Sequence, residues 1–418
     1  MADKNSTIPK GWKMTTLGEV GFTITGKTPS KDNPEDWGNF LDFITPTDIS
    51  SDSKYLKNVA RRLSEEGASR FKKMTIPSKS VVVSCIGSDM GKVVMNENEA
   101  LTNQQINSIK INSDNDKDFI FYLLKNSYSI LRNIAVGGST MPILNKSTFE
   151  SLEFLTPSFP EQRAIAAVLS SLDDKIELLR EQNKTLEAIA QAIFKEWFVN
   201  FNFPGATGKM IDSELGEIPE GWRVGKIKDL IDILSGFAFS SSDFSQDGNY
   251  KLVTIKNVQD RHFDPETKDR LSALPVRMPE YCKLNSGDIL LSLTGNVGRI
   301  CLVNGDNFLL NQRVAKLKEK NPSDYAFTYL LFLQDSIFSL LQSTASGTAQ
   351  QNLSPIQTKE IEIIIADRKT LDQFGMVANK LIQKINDNNS QVETLSKLRD
   401  TLLPKLMTGN VRVKGFED

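Results

Sequence analysis

The order of short motifs in the first half of the chain is written out again in the second. Ile8-Pro9-Lys10-Gly11-Trp12-Lys13 returns as Ile218-Pro219-Glu220-Gly221-Trp222-Arg223. Ser84-Cys85-Ile86-Gly87, followed by Gly91-Lys92, returns as Ser292-Leu293-Thr294-Gly295, followed by Gly298-Arg299. Asn103-Gln104-Gln105 returns as Asn311-Gln312-Arg313, and Gly138-Ser139-Thr140 with Leu144 as Gly347-Thr348-Ala349 with Leu353. Leu152-Glu153-Phe154 matches Ile361-Glu362-Ile363, and the offset stays within 207 to 210 residues throughout. Solenoids repeat every 20 to 50 residues or so. A period this long means a duplicated domain, so whatever the first half folds into, the second must fold into as well.

Each half reads as a mixed α/β (α+β) globule followed by one long helix. Residues 80–86, 92–95 and 107–111 are β-rich runs bounded by Gly and Asn, and 118–134 carries helical periodicity. Residues 288–293, 300–303, 314–317 and 324–341 occupy the matching places. The long helices show a sustained heptad. In the first, Ile165, Leu169, Leu172, Ile176, Leu179, Leu186, Ala190, Ile193 and Trp197 step by four and three, with Asn183 interrupting. In the second, Phe374, Ala378, Leu381, Ile385, Leu395, Leu402 and Leu406 hold the same places, with Val392 where the first has Asn183 and with Asn388 and Arg399 as polar members. The two asparagines are expected to fix register. Ser158-Phe159-Pro160-Glu161 has the form of a capping box, and Pro404 is expected to kink or end the second helix early.

Pairing the two helices with each other buries both seams. The first seam spans 33 residues, about 50 Å at ~1.5 Å per residue, whereas only about 17 residues (202–218) separate that helix from the second globule. A parallel pair would force the chain back along the full length, so the short link predicts an antiparallel coiled coil with a globule at each end and a pseudo-twofold relation. The expected organisation is 1–157 first domain, 158–201 first helix, 202–217 linker, 218–366 second domain, 367–408 second helix and 409–418 tail.

Two similar reading heads held at a fixed distance suit a bipartite target, and duplex DNA is the commonest one. Base readout needs Arg, Lys, Asn and Gln. Residues 54–79 hold Lys54, Lys57, Arg61, Arg62, Arg70, Lys72, Lys73 and Lys79 against Glu65 and Glu66. Candidate DNA contacts are Arg61, Arg62, Lys72, Lys73, Lys92 and Gln105 in the first domain. In the second they are Lys256, Arg261, Arg299, Arg313 and Gln351. A net charge of −2 argues against strong autonomous binding and suits a subunit that leaves phosphate contacts to partners.

Catalysis by the chain itself is not expected. One histidine, His262, and the scattered Cys85, Cys282 and Cys301 leave no metal site and no disulfide framework. The turn from Gly87 to Val93 is one residue short of a phosphate loop and has Val93 where Ser or Thr should hold magnesium. A Gly-rich methyl-donor loop and an Asn/Asp-Pro-Pro-aromatic motif are both missing from the sequence. No apolar run approaches the ~20 residues of a membrane helix, so a cytoplasmic chain is expected.

The order of globule, Pro160-Glu161-Gln162-Arg163-Ala164-Ile165 helix, globule, and helix ending Leu402-Leu403-Pro404-Lys405-Leu406-Met407-Thr408-Gly409 resembles the specificity subunit of type I restriction-modification enzymes. Gly26-Lys27-Thr28-Pro29-Ser30, Phe43-Ile44-Thr45-Pro46, Ser235-Gly236-Phe237-Ala238-Phe239 and Asn311-Gln312-Arg313 strengthen the resemblance, which covers nearly the whole chain. It implies two target-recognition domains, each reading one half of a split double-stranded DNA site, and helices that set the spacing and dock two methyltransferase (modification) subunits. A restriction/translocase subunit joins some such assemblies. S-adenosylmethionine, ATP and magnesium are then cofactors of the partners, with none bound by this chain. Val168, Ile189, Phe194 and Phe198 on the first helix, and Val377, Ile382, Leu398 and Leu403 on the second, lie outside the seam and are expected to dock those partners. Two rival readings remain at this point: a free-standing regulator of a split operator, and a scaffold whose globules bind proteins.

Overall fold

A computed structural model describes residues 8–50, 53–135, 143–345 and 351–416. Two compact units divide the chain, one comprising Met1–Glu177 with Thr394–Asp418, the other Leu178–Glu393. The Gly138-Ser139-Thr140 and Gly347-Thr348-Ala349 motifs lie outside the described residues.

In the first unit, a four-stranded sheet runs in the spatial order Gly21–Thr25, Ile106–Ile111, Val81–Ser84, Val93–Met95, all neighbours antiparallel. A five-stranded sheet follows the order Trp37–Gly38, Arg61–Leu63, Leu41–Ile44, Ala100–Thr102, Thr75–Ile76, and one pair in it, Leu41–Ile44 with Ala100–Thr102, is parallel. Lys13–Thr16 pairs with Glu153–Thr156. The second unit repeats this plan. Ile231–Ser235, Val314–Glu319, Ile289–Ser292 and Ile300–Leu302 form its four-stranded sheet. Phe244–Ser245, Arg270–Leu271, Tyr250–Val253, Phe308–Leu310 and Lys283–Leu284 form its five-stranded sheet, with the parallel pair in the same place. The duplication read in the sequence is therefore a duplication of strand order.

The single helix expected after the sheet in each half is two. Lys117–Asn126 and Tyr128–Ala135 meet at Ser127, whose hydroxyl donates to the Leu123 carbonyl, a local bond that competes with helix continuation. In the second unit Tyr325–Phe332 and Asp335–Thr344 are separated by Leu333 and an extended Gln334. The first helix of each pair is buried on nearly every side, and the second turns away with an exposed face. A smooth 3.6-residue period does not reveal such a break.

The long helices run Phe159–Phe198 and Arg368–Met407. Within the first unit they pair antiparallel. Asp173 meets Arg399 at 2.7 Å, and Ile165 and Leu169 share a core with Leu403, Leu406 and Met407. Within the second unit the sense is again antiparallel: Asn183 donates to Asn389 at 2.7 Å and accepts from Asn388 at 2.9 Å, while Phe194 and Phe198 contact Phe374. Ile176, Leu179, Ala190, Phe374, Ala378 and Ile385 are buried, whereas Leu172, Leu186, Ile193, Trp197, Leu381, Val392, Leu395 and Leu402 are half-buried.

Two local expectations fail. Pro404 does not end the second helix, which continues to Met407. Pro404 faces solvent, while Leu403, Leu406 and Met407 are buried in the first unit's core, and that burial offsets the lost backbone bond. Glu161 does not close a capping box either. Both its oxygens are taken by the Arg412 guanidinium, at 2.9 and 2.8 Å, a bidentate geometry that outcompetes a single backbone amide. It fastens the tail to the start of the first long helix.

Candidate nucleic-acid interface

The motifs that recur between the halves meet in space. In the first unit Gln104 Oε1 accepts from the Thr28 hydroxyl at 2.7 Å, joining Gly26-Lys27-Thr28-Pro29-Ser30 to Asn103-Gln104-Gln105. In the second, the Phe237 amide donates to Leu310 and the Gln312 amide to Phe237. Gly26 lies against the Thr102 backbone and Gly236 against Asn311, so closely that a Cβ at either position would overlap main-chain atoms. Asn103 accepts from the Gln105 amide and Asn311 from the Arg313 amide. Each asparagine thereby shapes a turn that presents the side chain two residues on, Gln105 half-buried and Arg313 exposed.

The basic run of the first unit is less basic than it reads. Lys54 is buried, donating to Ser170 and paired with Asp118, both at 2.8 Å, with the Tyr55 and Tyr122 rings beside it. Burial alone would weaken the ammonium, but Asp118 reverses the effect and holds its pKa above the ordinary lysine value. Lys57 pairs with Glu177, Arg62 with Asp42, and Arg70 with Asp36 and Glu66. Arg61, Lys72, Lys73 and Lys79 have no ion-pair partner among the described residues. Arg61 instead lies over Trp37, 4.1 Å from the ring centroid, and 5.2 Å from Phe43. These free cations are spread out: Arg61 is on the strand next to one edge of the five-stranded sheet, Lys72 and Lys73 precede the opposite edge. Lys92 is closed onto Asp89 within its own turn at 2.7 Å.

In the second unit Lys256, Arg313 and Gln351 are exposed. Arg261 has a left-handed backbone (φ 58°) and pairs with Glu187 of the first long helix at 3.1 Å. Burial pushes the Glu187 carboxyl above its usual range, and Arg261 opposes that shift. Arg299 donates to Gln259 at 2.7 Å. Arg261 and Arg299 are thus drawn together around the 256–264 loop and are spent on internal contacts. Exposed Arg277, which no sequence motif marks, stands beside the fully exposed Val276 on a turn closed by Met278 N to Pro275 O. A lone arginine between prolines gives no pattern to find.

Four of the side chains expected to dock partners are not available for it. Phe194, Phe198 and Ile382 are buried in the second unit's core and Leu403 in the first unit's. The globules claim these flanks of the helices, so apolar residues beyond the seam complete the chain's own core. Val168 is half-buried. Ile189 (44% exposed), Val377 (45%) and Leu398 (45%) remain open.

Among the described residues, no cluster of His, Cys, Asp and Glu is placed to hold a metal ion, and no helix is long and apolar enough to cross a membrane.

Comparison with known proteins agrees with this architecture. The type I restriction modification DNA specificity domain matches residues 9–188 and 219–390. The chain is 29% identical over 419 residues to the MjaIX specificity subunit of Methanocaldococcus jannaschii, covering 97% of this chain and 95% of that one. It is 25% identical over 421 residues to the MjaVIII specificity subunit of the same organism, with 98% and 95% covered. A crystal structure of a type I restriction-modification S subunit from M. genitalium shares the fold, with TM-score 0.59, 17% identity and 97% of each chain covered. The chain belongs to the type I restriction-modification DNA specificity family, and its work is specification of a target, not catalysis.

Proposed function

We propose that each unit reads one half of a split DNA site while the long helices set the spacing between the halves and dock two modification subunits. The observation that carries the reading is the duplicated strand order, together with a specificity-domain match in both halves. A protein made of one recognition plan twice reads two sequences. Each long helix has 40 residues, and an uninterrupted helix is stiff enough to serve as a spacer. Ile189 and Leu398 occupy corresponding positions, at the offset of 209 that relates the two helices, and both are exposed. Equivalent open apolar positions suit two copies of one partner.

The relatives named above are specificity subunits of restriction enzymes. By the same reading, methyl transfer from S-adenosylmethionine and ATP- and magnesium-dependent restriction belong to partner subunits in the cytoplasm. Cations are balanced by acids, for a net charge of −2, so this chain supplies discrimination and the partners supply most phosphate contacts.

The test is methylome sequencing of cells carrying the chain with its modification subunits. Exchange of residues 218–366 for those of another family member changes one half of the methylated motif and leaves the other. Four residues inserted in each long helix lengthen it by about 6 Å and widen the spacer by one or two base pairs. An unchanged motif after the exchange overturns the reading, and unchanged spacing after the insertions overturns the ruler.

A further inference from the structure

An open cleft of about 570 Å³ lies at one end of the first unit's five-stranded sheet, lined by Trp37, Asn39, Asn58, Arg61 and Arg62 among others. Its chemistry is unusual for a surface hollow. Arg61 is held over the Trp37 ring with no ion-pair partner among the described residues, whereas the neighbouring Arg62 is already bound to Asp42. The amides of Asn39 and Asn58 are exposed and make no hydrogen bond among the described residues. The walls are fixed. Asp48 accepts from the Ala60 amide at 3.1 Å and from Thr45, and the Phe40 amide donates to Leu63 at 2.7 Å. A guanidinium and two amides are thus presented on a rigid frame with their bonding capacity unused.

The second unit shows that this place is free to vary. Cross-strand partners define the correspondence: Asp42 faces Arg62 as Lys251 faces Arg270, and Trp37 faces Leu63 as Phe244 faces Leu271. Asp269 therefore stands where Arg61 does, and Phe244 where Trp37 does. The strand register is shared and the residue chemistry at these two positions is inverted, with a carboxylate where the first unit has a cation and a phenyl ring where it has an indole. Two domains that share a frame and read different sequences must differ where they read.

We propose that this cleft is the base-reading pocket of the first unit, with Arg61 addressing a guanine and Asn39 and Asn58 an adjoining adenine. The arginine fork matches the O6 and N7 acceptors of guanine, and an asparagine amide matches N6 and N7 of adenine. Contact with the indole restrains the guanidinium before DNA arrives, which lowers the ordering cost of the contact. This proposal rests on the DNA-recognition reading above and goes further by naming the residues and the bases.

The experiment uses the full chain assembled with its modification subunits, methylating a random duplex library whose products are sequenced. R61K keeps the charge but loses the fork. It relaxes discrimination at one G·C pair of one half-site by about tenfold or more, while the other half-site, read by the same molecules, keeps its preference. N39A and N58A relax an adjoining A·T pair in the same way. If R61K abolishes methylation, competition binding with duplexes altered one position at a time reads the same preference. An unchanged motif in R61K, or uniformly weaker activity without altered base preference, overturns the pocket. Failure of the wild-type assembly to select any split motif instead overturns the underlying DNA-recognition reading.

Discussion

Arg399→Met tests whether the first unit is locked to its helices by buried charge. Arg399 and Asp173 have side chains only 11% and 7% exposed and meet at 2.7 Å. The other Asp173 oxygen accepts from the Tyr122 hydroxyl at 2.6 Å, so both long helices and the helix Lys117–Asn126 converge on one carboxylate. Burial would weaken the guanidinium, yet Asp173 and Asp400 hold its pKa above the ordinary value. Burial also pushes the Tyr122 hydroxyl up, keeping it a donor. Removing Arg399 leaves the carboxylate in place with a single neutral donor. Loss of one partner of a buried pair costs about 3–5 kcal/mol. The exposed contact to Asp400 adds little. At roughly 2–4 °C per kcal/mol for a unit of this size, melting of the first unit falls by about 6–20 °C. The double variant R399M/D173L removes both charges and recovers most of the loss, because an apolar pair of similar volume is often neutral. Scanning calorimetry with urea titration measures both. A single variant within about 1 kcal/mol of wild type, or a double variant no better than the single, refutes the buried lock.

Gly26→Ala and Gly236→Ala each place a methyl group against main chain, at Thr102 and Asn311 respectively. Each is expected to lose about 1–3 kcal/mol or more in urea unfolding, and near-neutral results would show that the strand end moves freely. Burial pushes the Cys85 thiol up to about 12 and raises the Cys282 and Cys301 thiols too. Iodoacetamide at pH 8 therefore leaves all three unmodified in the native chain and alkylates them in denaturant; rapid native labelling of any one contradicts the burial.

The duplication was legible because matching motifs at a constant offset require no knowledge of packing. The long helices were legible because a seam of Ile and Leu repeats along the chain itself, and the antiparallel sense followed from the length of the link. Even the polar break was readable: Asn183 and Asn388 bond to each other. The apolar period shows one helix after each sheet where there are two, because Ser127 and Gln334 break it through local bonds and torsions without disturbing that period. Basic residues could be counted in residues 54–79, but not the acids that reach them from Asp36, Asp42, Asp118 and Glu177.

The sequence by itself determined that the chain is one plan repeated, with two long helices whose seams must be covered. Tertiary structure alone decided which side chains remain open. Phe194, Phe198, Ile382 and Leu403 look like surface for a partner until the globules are seen to cover them. Arg61 is one charge among eight until Trp37 is found beneath it. The reason is physical: periodicity and repetition are properties along the chain, whereas burial and charge pairing depend on residues far apart in sequence.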